Sequence, residues 1–189
     1  MLGRRTALAA WVVRALTLAL LVLGATHPDW HQFAGKAMAA RAVAYPLAML
    51  ALPVGWWLTR RGRTPYPAVQ DLLLTLPFLV DTAGNALDLY DGITWFDDAC
   101  HFLNWALLLG AVAITLPARL GGWARLGLTV GLGSTTALVW GSASTSRSCA
   151  TAPSLATAYT DTLGDMTLGT LGSLLAGLVV LRLRAARRA

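Results

Sequence analysis

The sequence predicts an all-α integral membrane protein: a bundle of about six transmembrane helices with both the N and C termini cytoplasmic. Three observations carry that expectation. Of the 189 residues, 56% are hydrophobic and only 13% charged, about half the charge of an ordinary soluble domain. The apolar residues gather into six continuous stretches, 7–26, 40–58, 68–87, 99–117, 124–142 and 161–181, each near the roughly 20 residues a helix needs to cross about 30 Å of hydrocarbon. Arginines cluster between the stretches and mark alternate connections, as the preference of basic loops for the cytoplasm requires.

The stretches are runs rather than alternations, which favours helices over a β-barrel. The first follows Arg4 and Arg5 and contains Arg14. A cleaved signal peptide would share that beginning, but Arg14 interrupts the apolar run and removing the segment weakens the charge balance, so it is read as a membrane helix whose Arg14 snorkels inward. The second and third contain Pro46, Pro53 and Pro77; kinks are expected there, with neighbouring helices satisfying the carbonyls that proline frees. In the fifth, Gly127, Gly131 and Gly133 are expected to allow close helix approach, and in the sixth Gly169, Ser173 and Gly177 recur every fourth residue to the same end. Trp11, Trp56, Trp57 and Trp123 fall near span boundaries, where indole favours the headgroup layer. Residues 1–189 are read as a single polytopic transmembrane domain.

With six spans, eleven basic residues lie on one side and only Lys36, Arg41 and Arg147 on the other. The basic balance does not indicate nucleic acid, because these residues form short clusters between apolar runs rather than a surface that follows phosphates. The expected partner is the lipid bilayer.

The nine aspartates show the reverse asymmetry: all but Asp71 fall on or near the outer side, and there is no glutamate. Asp29 and Asp91 read as solvated loop residues. Asp81, Asn85 and Asp88 lie at i, i+4 and i+7 on one face of the third span. Asp97, His101 and Asn104 repeat that spacing where the fourth begins, with Asp98 beside them, and Asp161 and Asp165 head the small-residue row of the sixth, ahead of Gly169. Carboxylates facing lipid are costly, so these groups should face the bundle interior and share an outward-opening pocket. Carboxylates crowded at low dielectric need protons or a cation. Oxygen ligands with one imidazole suit a divalent ion such as Mg²⁺, Mn²⁺, Ca²⁺ or Zn²⁺. The expected ligand set is Asp81, Asp97, Asp98, His101, Asp161 and Asp165, supported by Asn85, Asp88, Asn104 and Gly169. A second reading gives the same residues a purely architectural part, capping helix ends and bonding one another.

Two of these segments carry a resemblance. FDDACHFLNWALLL, beginning at Phe96, and AYTDTLGDMTLGTLGSLLAG, from Ala158 to Gly177, resemble the YjdF-like inner-membrane proteins, a bacterial family of unknown function. The likeness runs from the Asp81 region to Gly177 and rests most on the second segment. It implies a compact multi-helix protein of the bacterial cytoplasmic membrane rather than a particular reaction, and it carries over Asp97, Asp98, His101, Asp161, Asp165 and Gly169. The sequence departs from the family after Trp140, where relatives have glutamates and this chain reads Gly141-Ser142-Ala143-Ser144-Thr145-Ser146-Arg147-Ser148-Cys149. Either a compensated pair of frameshifts over codons 141–154 or genuine decay of the site accounts for this. A glutamate in another reading frame of those codons would indicate the former.

Other signals are weaker. Cys100 and Cys149 both fall on the outer side, where a disulfide could persist, but two cysteines alone do not argue for one. His27 and His31 flank Asp29 in what reads as an ordinary polar loop. Ser142 and Ser144 lack the glycine that follows the nucleophile in serine hydrolases, and no second histidine follows, so intramembrane proteolysis is set aside. No phosphate loop, Cys-x-x-Cys pair or His-Glu-x-x-His occurs. Two functional readings remain. In one, the pocket binds a divalent cation or exchanges protons, for transport or for metal-assisted chemistry on a lipid headgroup. In the other, the protein is a non-catalytic component or partner of envelope proteins. Residues 1–95 and 96–189 show no inverted repeat, which leans against a carrier.

Overall fold

The structure is a computed structural model. It describes the backbone of residues 2–151 and 155–186, and side chains for 3–142 and 159–186. The regular secondary structure of the described residues is all helix, with no strand among them. Six long helices are α1 (Leu2–Thr26), α2 (Met38–Thr59), α3 (Ala68–Ala86), α5 (Phe96–Thr115), α6 (Gly122–Thr151) and α7 (Leu155–Ala186), and one short turn, α4 (Leu89–Gly92), follows α3. Each of the six apolar stretches is therefore a helix. Four are long and apolar enough to cross a membrane: Gly3–Thr26, Met38–Thr59, Phe96–Thr115 and Tyr159–Ala186. Two fall short for a compositional reason. Gln70, Asp71, Asp81 and Asn85 lie within the 19 residues of α3, and α6 is rich in glycine, serine and threonine.

Contacts divide the chain into two compact units, Met1–Phe96 and Asp97–Ala189. In the first, α1 packs on α2 and α3. The buried face of α1 runs through Ala10, Val13, Arg14, Thr17 and Leu21, while Leu8, Trp11, Leu16 and Val22 are exposed. Arginine and threonine inside with leucine and valine outside inverts the pattern of a soluble protein, and it suits an apolar surrounding solvent, where polar groups are best satisfied by one another. Leu21, Phe33 and Met38 form the apolar core at one end of the unit.

Arg14 links all three helices. It is 3% exposed, donates to both carboxylate oxygens of Asp71 on α3, and gives Nε and Nη2 to the carbonyl of Met49 on α2 at 3.2 and 2.7 Å. The Met49 carbonyl is the one that Pro53, four residues on, leaves without a helical donor. The expectation that neighbours satisfy proline-freed carbonyls is met here by a guanidinium. The expected snorkelling is corrected: Arg14 ends in a buried pair, because Asp71 and a freed carbonyl lie within reach. Tyr66 completes the node by donating to Asp71 at 2.6 Å, and burial together with that hydrogen bond raises the Tyr66 hydroxyl well above the usual phenol range.

In the second unit, α6 and α7 pack along much of their length. A side chain on Gly133 would run into Ser173, one on Gly177 into Leu126, and one on Gly122 into Leu181, so these glycines set the approach of the two helices. Gly127 and Gly131 have open space around them, which corrects the part expected of them: they lie on the face of α6 turned away from α7. Gly172 carries weight not expected from the sequence, since a Cβ there would overlap the Phe102 carbonyl of α5. Helix α5 ends before Pro117, and the carbonyls of Ile114 in its last turn and of Leu116 just beyond it accept from Arg184 of α7 at 2.5 and 3.2 Å. This places a cation at a helix C-terminus, where the dipole favours it.

Candidate metal centre

The first two turns of α5 and the N-terminal third of α7 bring three ligand groups together. Asp97 and His101 are four residues apart on α5 and thus one above the other. Asp165 reaches them from α7, where Gly169, one turn further on, lets Trp105 of α5 and Ala137 of α6 close against the helix backbone. The small residue at 169 holds α7 near enough for Asp165 to meet His101. His101 Nε2 lies 3.4 Å from Asp165 Oδ1 and 3.8 Å from Asp97 Oδ1, and one ligand atom of each residue lies within 4.8 Å of the others. The side chains of His101 and Asp165 are 19% and 15% exposed, that of Asp97 50%, so the group is sheltered on two sides and open on the third.

These separations are longer than good hydrogen bonds. They approach the edge of a metal coordination shell: bonds of about 2.0–2.1 Å to nitrogen and oxygen in a tetrahedral site put ligands roughly 3.3–3.4 Å apart. Asn104 lies on the same face, one turn beyond His101, and its Oδ1 is buried without a hydrogen-bond partner. An acceptor in that position is available to a bound water.

Of the other expected ligands, Asp98 and Asp161 are exposed, and their charges act on the Asp165 carboxyl from nearby. Asp81, Asn85 and Asp88 belong to the first unit, where each is engaged. Asp81 Oδ2 accepts from Arg41 at 2.5 Å and Tyr45 at 2.7 Å, and Oδ1 from Tyr90 at 3.4 Å. Asn85 donates to the Asp81 carbonyl at 2.8 Å. Asp88 stands in the left-handed region, φ 58°, and pairs with His31 at 2.9 Å. Asp91, read as a solvated loop residue, is paired: Lys36 donates to it, which holds that carboxyl below its ordinary range. The signal for the Arg41–Asp81 pair was present in the numbering. Both lie twenty residues from Arg61, which sits in the turn between two antiparallel helices, so they fall opposite each other, as Tyr45 and Phe78 do at 4.9 Å between ring centres.

The side chains of 143–158 lie outside the described residues, and with them Ser144, Cys149 and most of the segment 141–154. The Cys100–Cys149 disulfide that the sequence left undecided falls there too. Cys100 itself is buried. Comparison of the chain with protein-family models, with curated proteins and with solved structures found no match.

Proposed function

We propose that this chain is a multi-pass protein of the bacterial inner membrane, related to the YjdF-like proteins, with six membrane helices and both termini in the cytoplasm, and that Asp97, His101 and Asp165 bind a divalent cation near the outer face. The observation that carries this reading is the approach of one imidazole and two carboxylates from two helices, with one ligand atom of each within 4.8 Å of the others. Two carboxylates and a neutral imidazole supply a net charge that a divalent ion balances, and the nitrogen–oxygen set suits Zn²⁺ or Mn²⁺. The open side next to Asp97 leaves room for water or a substrate oxygen, as a reactive or transporting site needs and a closed structural site does not. A bound cation there would offer Lewis-acid assistance to a lipid headgroup or serve as cargo. The architectural reading has support of its own in the first unit, where Arg14–Asp71 and Arg41–Asp81 neutralise one another and tie helices together.

The test is the melting of the purified full chain in detergent, with and without Zn²⁺ or Mn²⁺. An ion present at about a hundredfold excess over its Kd stabilises the folded state by roughly 2.7 kcal/mol, and His101→Ala and Asp165→Ala should each abolish the shift. Equal melting of the wild type with and without metal would overturn the cation reading and leave the architectural one.

A further inference from the structure

The end of the second unit opposite the Asp–His group holds a positive charge that no carboxylate among the described residues balances. Asp165 and Arg184 stand nineteen residues apart on α7, about 28 Å at 1.5 Å per residue, close to the thickness of a bilayer core. At the Arg184 end, a narrow cleft is lined by Gly122, Arg125 and Thr129 of α6 and Gly177, Leu181 and Arg184 of α7. Arg125 is 7% exposed, and its Nη1 is buried with no hydrogen-bond partner. A guanidinium does not give up its proton under ordinary conditions, so it cannot relieve burial by becoming neutral. It needs an anion. The second unit offers no side-chain carboxylate nearby: its aspartates are 97, 98, 161 and 165, all at the other end of α5 and α7.

Two further features add positive potential at the same place. Helix α6 begins at Gly122, so its unbonded first-turn N–H groups and the positive end of its dipole belong to this end of the cleft. Arg184 contributes a second guanidinium while its other donors hold the α5 carbonyls. The cleft admits about one water-sized group. That suits a single anionic oxygen inserted from outside, with the rest of its group remaining at the surface. We propose that this cleft binds a phosphate oxygen, from a lipid headgroup or from free phosphate, with Arg125 as its principal ligand.

The full chain in maltoside micelles is melted during titration with dioleoyl phosphatidylglycerol, with dioleoylglycerol, which has the same chains and no phosphate, and with sodium phosphate against sodium chloride at equal ionic strength. Phosphatidylglycerol is expected to raise Tm where dioleoylglycerol does not. Arg125→Gln should weaken the apparent affinity about tenfold or more, the loss of one charge-assisted hydrogen bond. Arg182→Gln, an exposed arginine two residues from Arg184 and outside the cleft, should leave the affinity unchanged. A response to the lipid alone assigns the phosphate to a headgroup, and a response to sodium phosphate as well assigns it to the soluble ion. No response of the wild type to either phosphate source beyond its control overturns the proposal, as does an equal response in Arg125→Gln. The wild-type comparison decides even if that variant fails to fold.

Discussion

Replacing Arg14 with methionine tests how the first unit is held together. Methionine keeps most of the volume of the side chain and removes its charge and all its donors. Asp71, which is fully buried, would then keep only the Tyr66 hydroxyl as a side-chain donor, and the Met49 carbonyl would lose both of its contacts to Arg14. Breaking a buried ion pair on one side costs about 3–5 kcal/mol, because the remaining charge stays buried without compensation. Arg14→Met should therefore lose about that much. Arg14→Met combined with Asp71→Leu removes both charges and should recover most of the loss, since apolar replacement of a whole buried pair is often near neutral. Adding Pro53→Ala to Arg14→Met restores an N–H for the Met49 carbonyl and should return about 1 kcal/mol. The assay is reversible unfolding of the full chain in mixed micelles by added SDS, followed by tryptophan fluorescence. A loss under about 1 kcal/mol for Arg14→Met, or a double variant whose loss equals the sum of the singles, would refute the pairing as the tie between α1, α2 and α3.

The remaining expectations are narrower. Gly172→Ala should destabilise the protein by about 1–3 kcal/mol, because the added methyl meets the Phe102 backbone, which cannot turn aside. Gly127→Ala, with open space around it, should be neutral or stabilising by up to about 1 kcal/mol through helix propensity, and thermal melting of the two variants side by side checks both. Tyr66→Phe should cost about 1 kcal/mol at neutral pH. The Tyr66 hydroxyl is raised above its unfolded value by burial and by Asp71, so its contribution is fully present below about pH 10 and is lost as the pH climbs through the folded value. A difference between wild type and Tyr66→Phe that instead grows above pH 10 would contradict this assignment.

Much of the secondary structure was legible because lipid imposes a simple rule, that a spanning segment is apolar over a fixed length and satisfies its own backbone. Six apolar runs became six long helices, and the run with the most aspartate and amide side chains, α3, is among those that fall short of spanning hydropathy. Helical spacing also placed Asp97, His101 and Asn104 on one face, and Asp161, Asp165 and Gly169 on another, without any knowledge of partners. Partner choice was less legible. Asp81 and Asp165 look alike in sequence, each an aspartate expected near the outer end of an apolar run. One is neutralised by Arg41 and two tyrosines, while the other meets His101 and Asp97. The difference arises from which helix lies alongside, and that depends on close contacts at particular small residues: Gly169 and Gly172 admit α5, whereas Gly127 and Gly131 admit nothing.

The sequence by itself determined that the chain is helical, that it carries helices apolar enough to cross a membrane, and that its acids and bases are segregated along it, because length, hydropathy and charge are properties of single segments. Only the tertiary structure decided which charges cancel one another. Arg14 found Asp71 and a carbonyl freed by a proline in a third helix, and Arg125 found no carboxylate among the described residues. Electrostatic pairing at low dielectric depends on distances of a few ångströms between segments far apart in the chain, and no spacing within one helix contains that information.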